Sequence, residues 1–122
     1  MQKELTKAEE QIMHAIWTVQ KGFAKDILEQ LEDPKPAYNT VLTVIRVLVQ
    51  KGFVKFKTYG KANEYYATIT REAYSAQRLK SLKKDYFNNS SAELLSFFVK
   101  NNKLNIKELD EILAIIKSEK NG

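Results

Sequence analysis

Hydrophobic positions change period along the chain, and the changes mark out its elements. From Thr6 to Val19, Ile12, Ile16 and Val19 recur at helical intervals and Met13 and Trp17 widen the stripe. Thr6 and Glu9 have capping-box spacing, so a first helix is predicted to start there. Lys21, Gly22 and Phe23 break it, and Ala24 to Leu31 gives a short second helix with Ile27, Leu28 and Leu31 on its apolar side. Asp33-Pro34-Lys35-Pro36 is a turn no helix crosses, because proline lacks the N–H a helix interior needs. Tyr38 to Lys51 returns to the helical period, with Val41, Val44, Ile45 and Leu48 on one face and Asn39, Thr43, Arg46 and Gln50 on the opposite one. β-Branched residues make a strand the competing reading there, but the unbroken length of the pattern favours a helix, and Gly52 caps it.

Beyond Gly52 the period falls to that of strands. Phe53 to Thr58 and Asn63 to Ile69 are rich in β-branched and aromatic residues and flank Tyr59-Gly60-Lys61-Ala62, which predicts a β-hairpin with a basic tip. Further helices follow: about Thr70 to Tyr86, then Ser90 to Lys100 opened by Ser90 with Glu93, then Ile106 to Lys117 opened by Asn105 with Glu108. Three helices and a hairpin are the order of a winged helix-turn-helix, whose third helix is placed to enter a major groove. The expected fold class is therefore mainly α with a small β-hairpin. Residues 1–70 would form the winged helix-turn-helix domain and 71–122 a C-terminal helical dimerisation region. The last two helices carry Leu94, Leu95, Phe97, Phe98, Ile106, Leu109, Ile112, Leu113 and Ile116. Such short helices cannot bury so many large side chains among themselves, so a second copy of the chain, making a homodimer, is the expected cover.

Composition removes most chemistry. A chain of 122 residues that is 43% hydrophobic can bury a core, yet it has no cysteine and one histidine, His14. Disulfides, thiolate zinc sites and cysteine nucleophiles are excluded, and neither a metal nor a cofactor is expected. His14 falls off the apolar stripe and Trp17 falls on it, which assigns them to solvent and core. Glu9 and Glu10 have the position of carboxylates that favour a helix N-terminus. With no glycine-rich phosphate loop and no Ser-His-Asp set, the sequence is not that of an enzyme. No apolar run is long enough to cross a bilayer and the amino terminus lacks a secretory apolar region, so a cytoplasmic protein without membrane insertion is expected.

Charge points to one partner class. The formal net charge is +5, and between Ala37 and Asn63 the chain carries Arg46, Lys51, Lys55, Lys57 and Lys61 with no Asp or Glu. A surface cleared of carboxylates suits phosphates, since each remaining acid would repel the backbone. The amide, hydroxyl and guanidinium groups of Asn39, Thr43, Arg46 and Gln50 are those that hydrogen-bond base edges or phosphates. Double-stranded DNA is thus the expected partner, contacted by Tyr38, Asn39, Thr40, Thr43, Arg46, Gln50, Lys51 and Lys61. Thr40 can cap the helix or touch phosphate, and Tyr38 can contact DNA or pack on the turn. Lys55 and Lys57 fit phosphate contacts and edge-strand solubilising charges equally. Adjacent in a strand, Tyr65 and Tyr66 must face opposite sides, one of them towards the core.

Leu5-Thr6-Lys7-Ala8-Glu9, Met13 with Ile16-Trp17, Thr40-Val41 with Thr43, Leu48 with Lys51-Gly52-Phe53, and Gly60-Lys61 with Tyr65-Tyr66 together resemble the penicillinase and methicillin-resistance repressors of the BlaI and MecI type. The resemblance runs over nearly the whole chain. It implies a homodimeric repressor on an inverted-repeat operator, often with TACA and TGTA half-sites, released when a sensor protease causes cleavage in the C-terminal region. Three departures stand out. Where the family has an Arg before the residue matching Leu48, this chain has Val47, with the arginine one place earlier at Arg46; one residue rotates a helical side chain by about 100°. The family's Asn-Phe cleavage pair is Phe97-Phe98 here. The C-terminal cysteine cluster of copper-responsive relatives is missing. The rival reading is a winged-helix module for protein interaction, which would carry an apolar third helix and no charge bias at the wing.

Overall fold

The computed structural model describes residues 4–101 and 105–121, with the side chains of residues 116 and 119–121 left out. The first helix, α1 (Lys7–Val19), opens on the capping box: Thr6 Oγ1 accepts from the Glu9 amide at 3.2 Å and Glu9 Oε1 accepts from the Thr6 amide at 3.0 Å. Its buried face is Ile12, Met13, Ala15 and Ile16. The segment that ends it does more than break the helix, since Lys21–Gly22 forms strand β1. Helix α2 (Ala24–Glu29) starts where the Phe23 amide donates to Asp26 Oδ2 at 2.9 Å. It stops short of the predicted Leu31 because Gln30 and Leu31 already bond three residues back, tightening the chain towards the prolines.

Helix α3 (Tyr38–Gln50) buries Val41, Ile45 and Leu48 and ends at Gly52 with φ +88°. The Gly52 amide bonds the Val49 carbonyl at 3.1 Å and the Phe53 amide the Leu48 carbonyl at 3.0 Å, the paired bonds of a Schellman turn. Phe53 and Leu48, the apolar pair such a turn brings together, are both fully buried. Strands β2 (Val54–Tyr59) and β3 (Ala62–Ala67) form the predicted hairpin, closed by Gly60-Lys61 with Gly60 at φ +62°. The sheet has three strands, however, in the order β1-β3-β2, all neighbours antiparallel. Sequence pattern missed β1 because two residues carry no period.

Helix α4 (Arg71–Tyr86) is capped by Thr70, whose Oγ1 accepts from the Ala73 amide at 3.0 Å. The chain divides into two compact units between Ser75 and Ala76, inside α4 rather than before it. The reason is Tyr74: it is buried, its hydroxyl donates to Glu10 Oε2 at 2.5 Å, and its ring meets Phe53 and Trp17. The core of the first unit joins Leu5, Ile12, Met13, Ile16, Ile27, Val41, Ile45, Leu48, Phe53, Val54, Tyr65 and Tyr74. Trp17 packs against this core and donates Nε1–H to the Ile69 carbonyl at 2.9 Å.

In the second unit α4 ends at Tyr86, and Asn88 and Asn89 take positive φ. Helix α5 (Ser91–Lys100) follows, with Ser90 Oγ accepting from the Glu93 amide at 3.1 Å. Helix α6 (Ile106–Asn121) is capped by Asn105, which accepts from the Glu108 amide at 2.8 Å. Phe87 meets Phe97 edge to face, and Leu94 is buried. Leu79, Leu82, Tyr86, Leu95, Phe97, Phe98, Val99, Ile106, Ile112, Leu113 and Ile115 are exposed.

Candidate nucleic-acid interface

The buried stripe of α3 turns the opposite face outward. Asn39, Thr43, Arg46 and Gln50 are all exposed on it, as the sequence periodicity requires. Thr43 Oγ1 donates to the Asn39 carbonyl at 2.9 Å, so its proton is committed while its oxygen still faces solvent as an acceptor. Ala37 precedes the helix and provides no side-chain cap, which leaves the first-turn amides without that partner and resolves Thr40 as an exposed residue rather than the cap.

Between α3 and the hairpin lies a groove of about 510 Å³ whose lining includes Tyr38, Arg46, Gln50, Lys61 and Asn63. Four expected DNA residues, from two separate elements, thus converge on one groove that no carboxylate lines. Tyr38 stands here at 49% exposure instead of packing away on the turn. Phe23, Phe56 and Tyr65 supply the apolar lining, so Tyr65 is the tyrosine that faces inward. Thr40 lies on the other flank of α3, in a groove of about 630 Å³ that it shares with Gln11 and His14 of α1.

Lys51 is placed differently. Its ammonium lies 2.7 Å from Glu9 Oε1 and 3.3 Å from the Glu4 carbonyl, so its charge is tied to α1. Burial alone would raise the Glu9 pKa, but hydrogen bonds from Lys51 and Thr6 and the nearby ammonium charge outweigh it and hold the carboxyl below its usual range. Glu9 and Lys51 therefore anchor the end of α3 to the start of α1. Asn63 was not singled out from the sequence. Thr58 donates to its Oδ1 at 2.8 Å across the hairpin, which leaves the amide nitrogen as the donor. The signal was available in the placement of Thr58 and Asn63 symmetrically about Gly60-Lys61.

A helix-turn-helix whose third helix presents polar groups beside a basic hairpin defines the winged-helix class of DNA-binding regulators. Within that class the chain belongs to the penicillinase repressor family, which matches it over residues 5–118. It is similar to the methicillin resistance regulatory protein MecI of Staphylococcus aureus (strain N315), 25% identical over 114 residues that cover 93% of each chain. The penicillinase repressor of Bacillus licheniformis is 21% identical over 119 residues, 97% of this chain and 93% of that protein. The fold also resembles that in the complex structure of hsRosR-SG, with a TM-score of 0.55 at 18% identity over 98% of this chain and 96% of that one. The protein is a DNA-binding transcriptional repressor, not an enzyme. No helix among the described residues is long and apolar enough to cross a membrane.

Proposed function

We propose that this repressor acts in the cytoplasm as a homodimer on an inverted-repeat operator, with one winged unit on each half-site. The observation that carries the reading is the exposed, acid-free stripe of Asn39, Thr43, Arg46 and Gln50, continued through the groove to Lys61. Its amide, hydroxyl and guanidinium groups match base edges, Tyr38 and Lys61 match phosphates, and Thr40 is free for a phosphate at the helix start. Lys51 is left out of the proposed contacts because Glu9 holds it. The polar character of this face is also what the protein-interaction reading would not have.

The second copy would be held by the apolar residues that α5 and α6 leave uncovered: Leu95, Phe97, Phe98, Ile106, Ile112 and Leu113, with Ile115 added and Leu109 half-buried at the edge. Leu94 is already buried within the chain, and the Ile116 side chain lies outside the described residues. Release by a sensor protease belongs to the same proposal: cutting within α5 would separate the winged unit from α6. Phe97-Phe98 lies inside α5, so a protease that reads extended chain must first open that helix.

The test is the salt dependence of duplex binding. Log affinity should fall with log salt by about 0.9 for each phosphate contact, giving a steep line for a dimer. A flat line between low and moderate salt would overturn the reading.

A further inference from the structure

The register of the sheet builds a second basic surface. Lys21 of β1 pairs with Tyr66 of β3, and Tyr66 pairs in turn with Lys55 of β2. Directly opposed residues in antiparallel strands share a face, so Lys21, Tyr66 and Lys55 form one row. Lys57, opposite Glu64, lies two residues along on the same face, with its Nζ 5.4 Å from the centre of the Tyr59 ring. Tyr65, next to Tyr66, is buried and lines the groove beside α3. The row containing Tyr66 therefore looks out of the opposite side of the sheet.

All three lysines are exposed, and among the described residues none is in an ion pair. Glu64 is the one carboxylate in these rows, and it is half-buried. Lysines at alternate positions of a strand stand about 6.8 Å apart, and neighbouring strands about 4.8 Å apart. Three ammonium groups on flexible stems can thus reach several phosphates at once, and tyrosine hydroxyls beside them can donate to the same oxygens.

We propose that this outer face of the sheet is a second, sequence-independent surface for duplex DNA, taking phosphates that flank the stretch engaged by α3 and the wing tip. It rests on the DNA-binding reading above but uses none of the residues assigned there. The competing role for Lys21, Lys55 and Lys57 is to guard edge strands, because β1 and β2 are both edges of the sheet.

The experiment uses the full chain and a random-sequence duplex of about 40 base pairs, titrated over a range of salt. Lys21→Gln, Lys55→Gln and Lys57→Gln are combined in one variant. A control variant combines Lys80→Gln, Lys84→Gln and Lys100→Gln, exposed positions in the second unit that remove the same net charge. The outer-face variant should bind about tenfold more weakly at moderate salt, with a salt slope shallower by about 0.9 for each phosphate no longer neutralised; the control should stay within about twofold. Thermal melting checks that both variants remain folded. Equal losses in the two variants would show a net-charge effect, and unchanged binding of a more aggregation-prone outer-face variant would show edge protection; either overturns the second surface. If the intact chain itself shows no salt-dependent binding, the DNA-binding reading fails instead.

Discussion

Individual side chains separate structural from reading roles. Glu9 caps α1 and pairs with Lys51 at 2.7 Å, and the two side chains are 11% and 20% exposed. Glu9→Gln keeps a capping group but loses the pair and should destabilise the fold by about 1 to 3 kcal/mol at neutral pH. Because folding lowers the Glu9 pKa, this stability is present above the usual carboxylate value of about 4.3 and is lost as pH falls through the folded value. Urea unfolding at several pH values should show the gap between intact chain and variant closing on acidification. At α3, Thr43 offers an acceptor and a methyl group. Thr43→Val retains the methyl, so a discrimination between operator and random DNA that survives in Val but falls in Thr43→Ala assigns Thr43 to a thymine methyl. Arg46→Ala should lower that discrimination by about 1 to 3 kcal/mol, whereas Lys61→Ala should weaken both DNAs alike. Exchanging the pair as Arg46→Val with Val47→Arg should move the preferred base, because Val47 points about 100° away from the wing groove.

Elements owe their placement to short connections. Gly52 ends α3 at φ +88° and lets Phe53 turn back beside Leu48, which sets where the hairpin leaves the helix. A Cβ built on Gly52 would meet nothing within 4 Å, so Gly52→Ala should cost only backbone strain, about 1 to 2 kcal/mol. Gly52→Asn should recover part of that, since asparagine tolerates the left-handed region better; thermal melting of the two variants gives the comparison. β1 adds the third strand and carries Lys21 into register with Lys55, although the hairpin is closed by its own two-residue turn.

At the scale of the whole molecule, every residue of the first unit's core lies between Leu5 and Tyr74. Truncation after Leu95 removes the second half of α5 and all of α6 but touches none of that core. On the proposed homodimer, the truncated chain should keep a cooperative melt, sediment as a monomer at concentrations where the intact chain sediments as a dimer, and bind an operator near its affinity for random DNA. The last effect follows from losing the effective concentration that two linked half-site contacts provide. A truncated chain that still sediments as a dimer would place the assembly surface elsewhere.

Periodicity and capping made the helices legible: Thr6 with Glu9, Ser90 with Glu93 and Asn105 with Glu108 all cap as their spacing says, because these bonds close within three residues. The polar face of α3 was legible too, since a helix that buries Val41, Ile45 and Leu48 must turn Asn39, Thr43, Arg46 and Gln50 outward. Contacts between distant residues were not. Only folding shows that Lys51 is drawn to Glu9 while Lys61 and Arg46 line one groove, because an acid-free stretch records charge but not which way each long side chain is pulled. The same holds for the boundary at Ser75, fixed by Tyr74 reaching Glu10, and for the row from Lys21 through Tyr66 to Lys55. Strand register is a pairing between separated segments, and a two-residue strand acquires it only from its neighbour in the sheet.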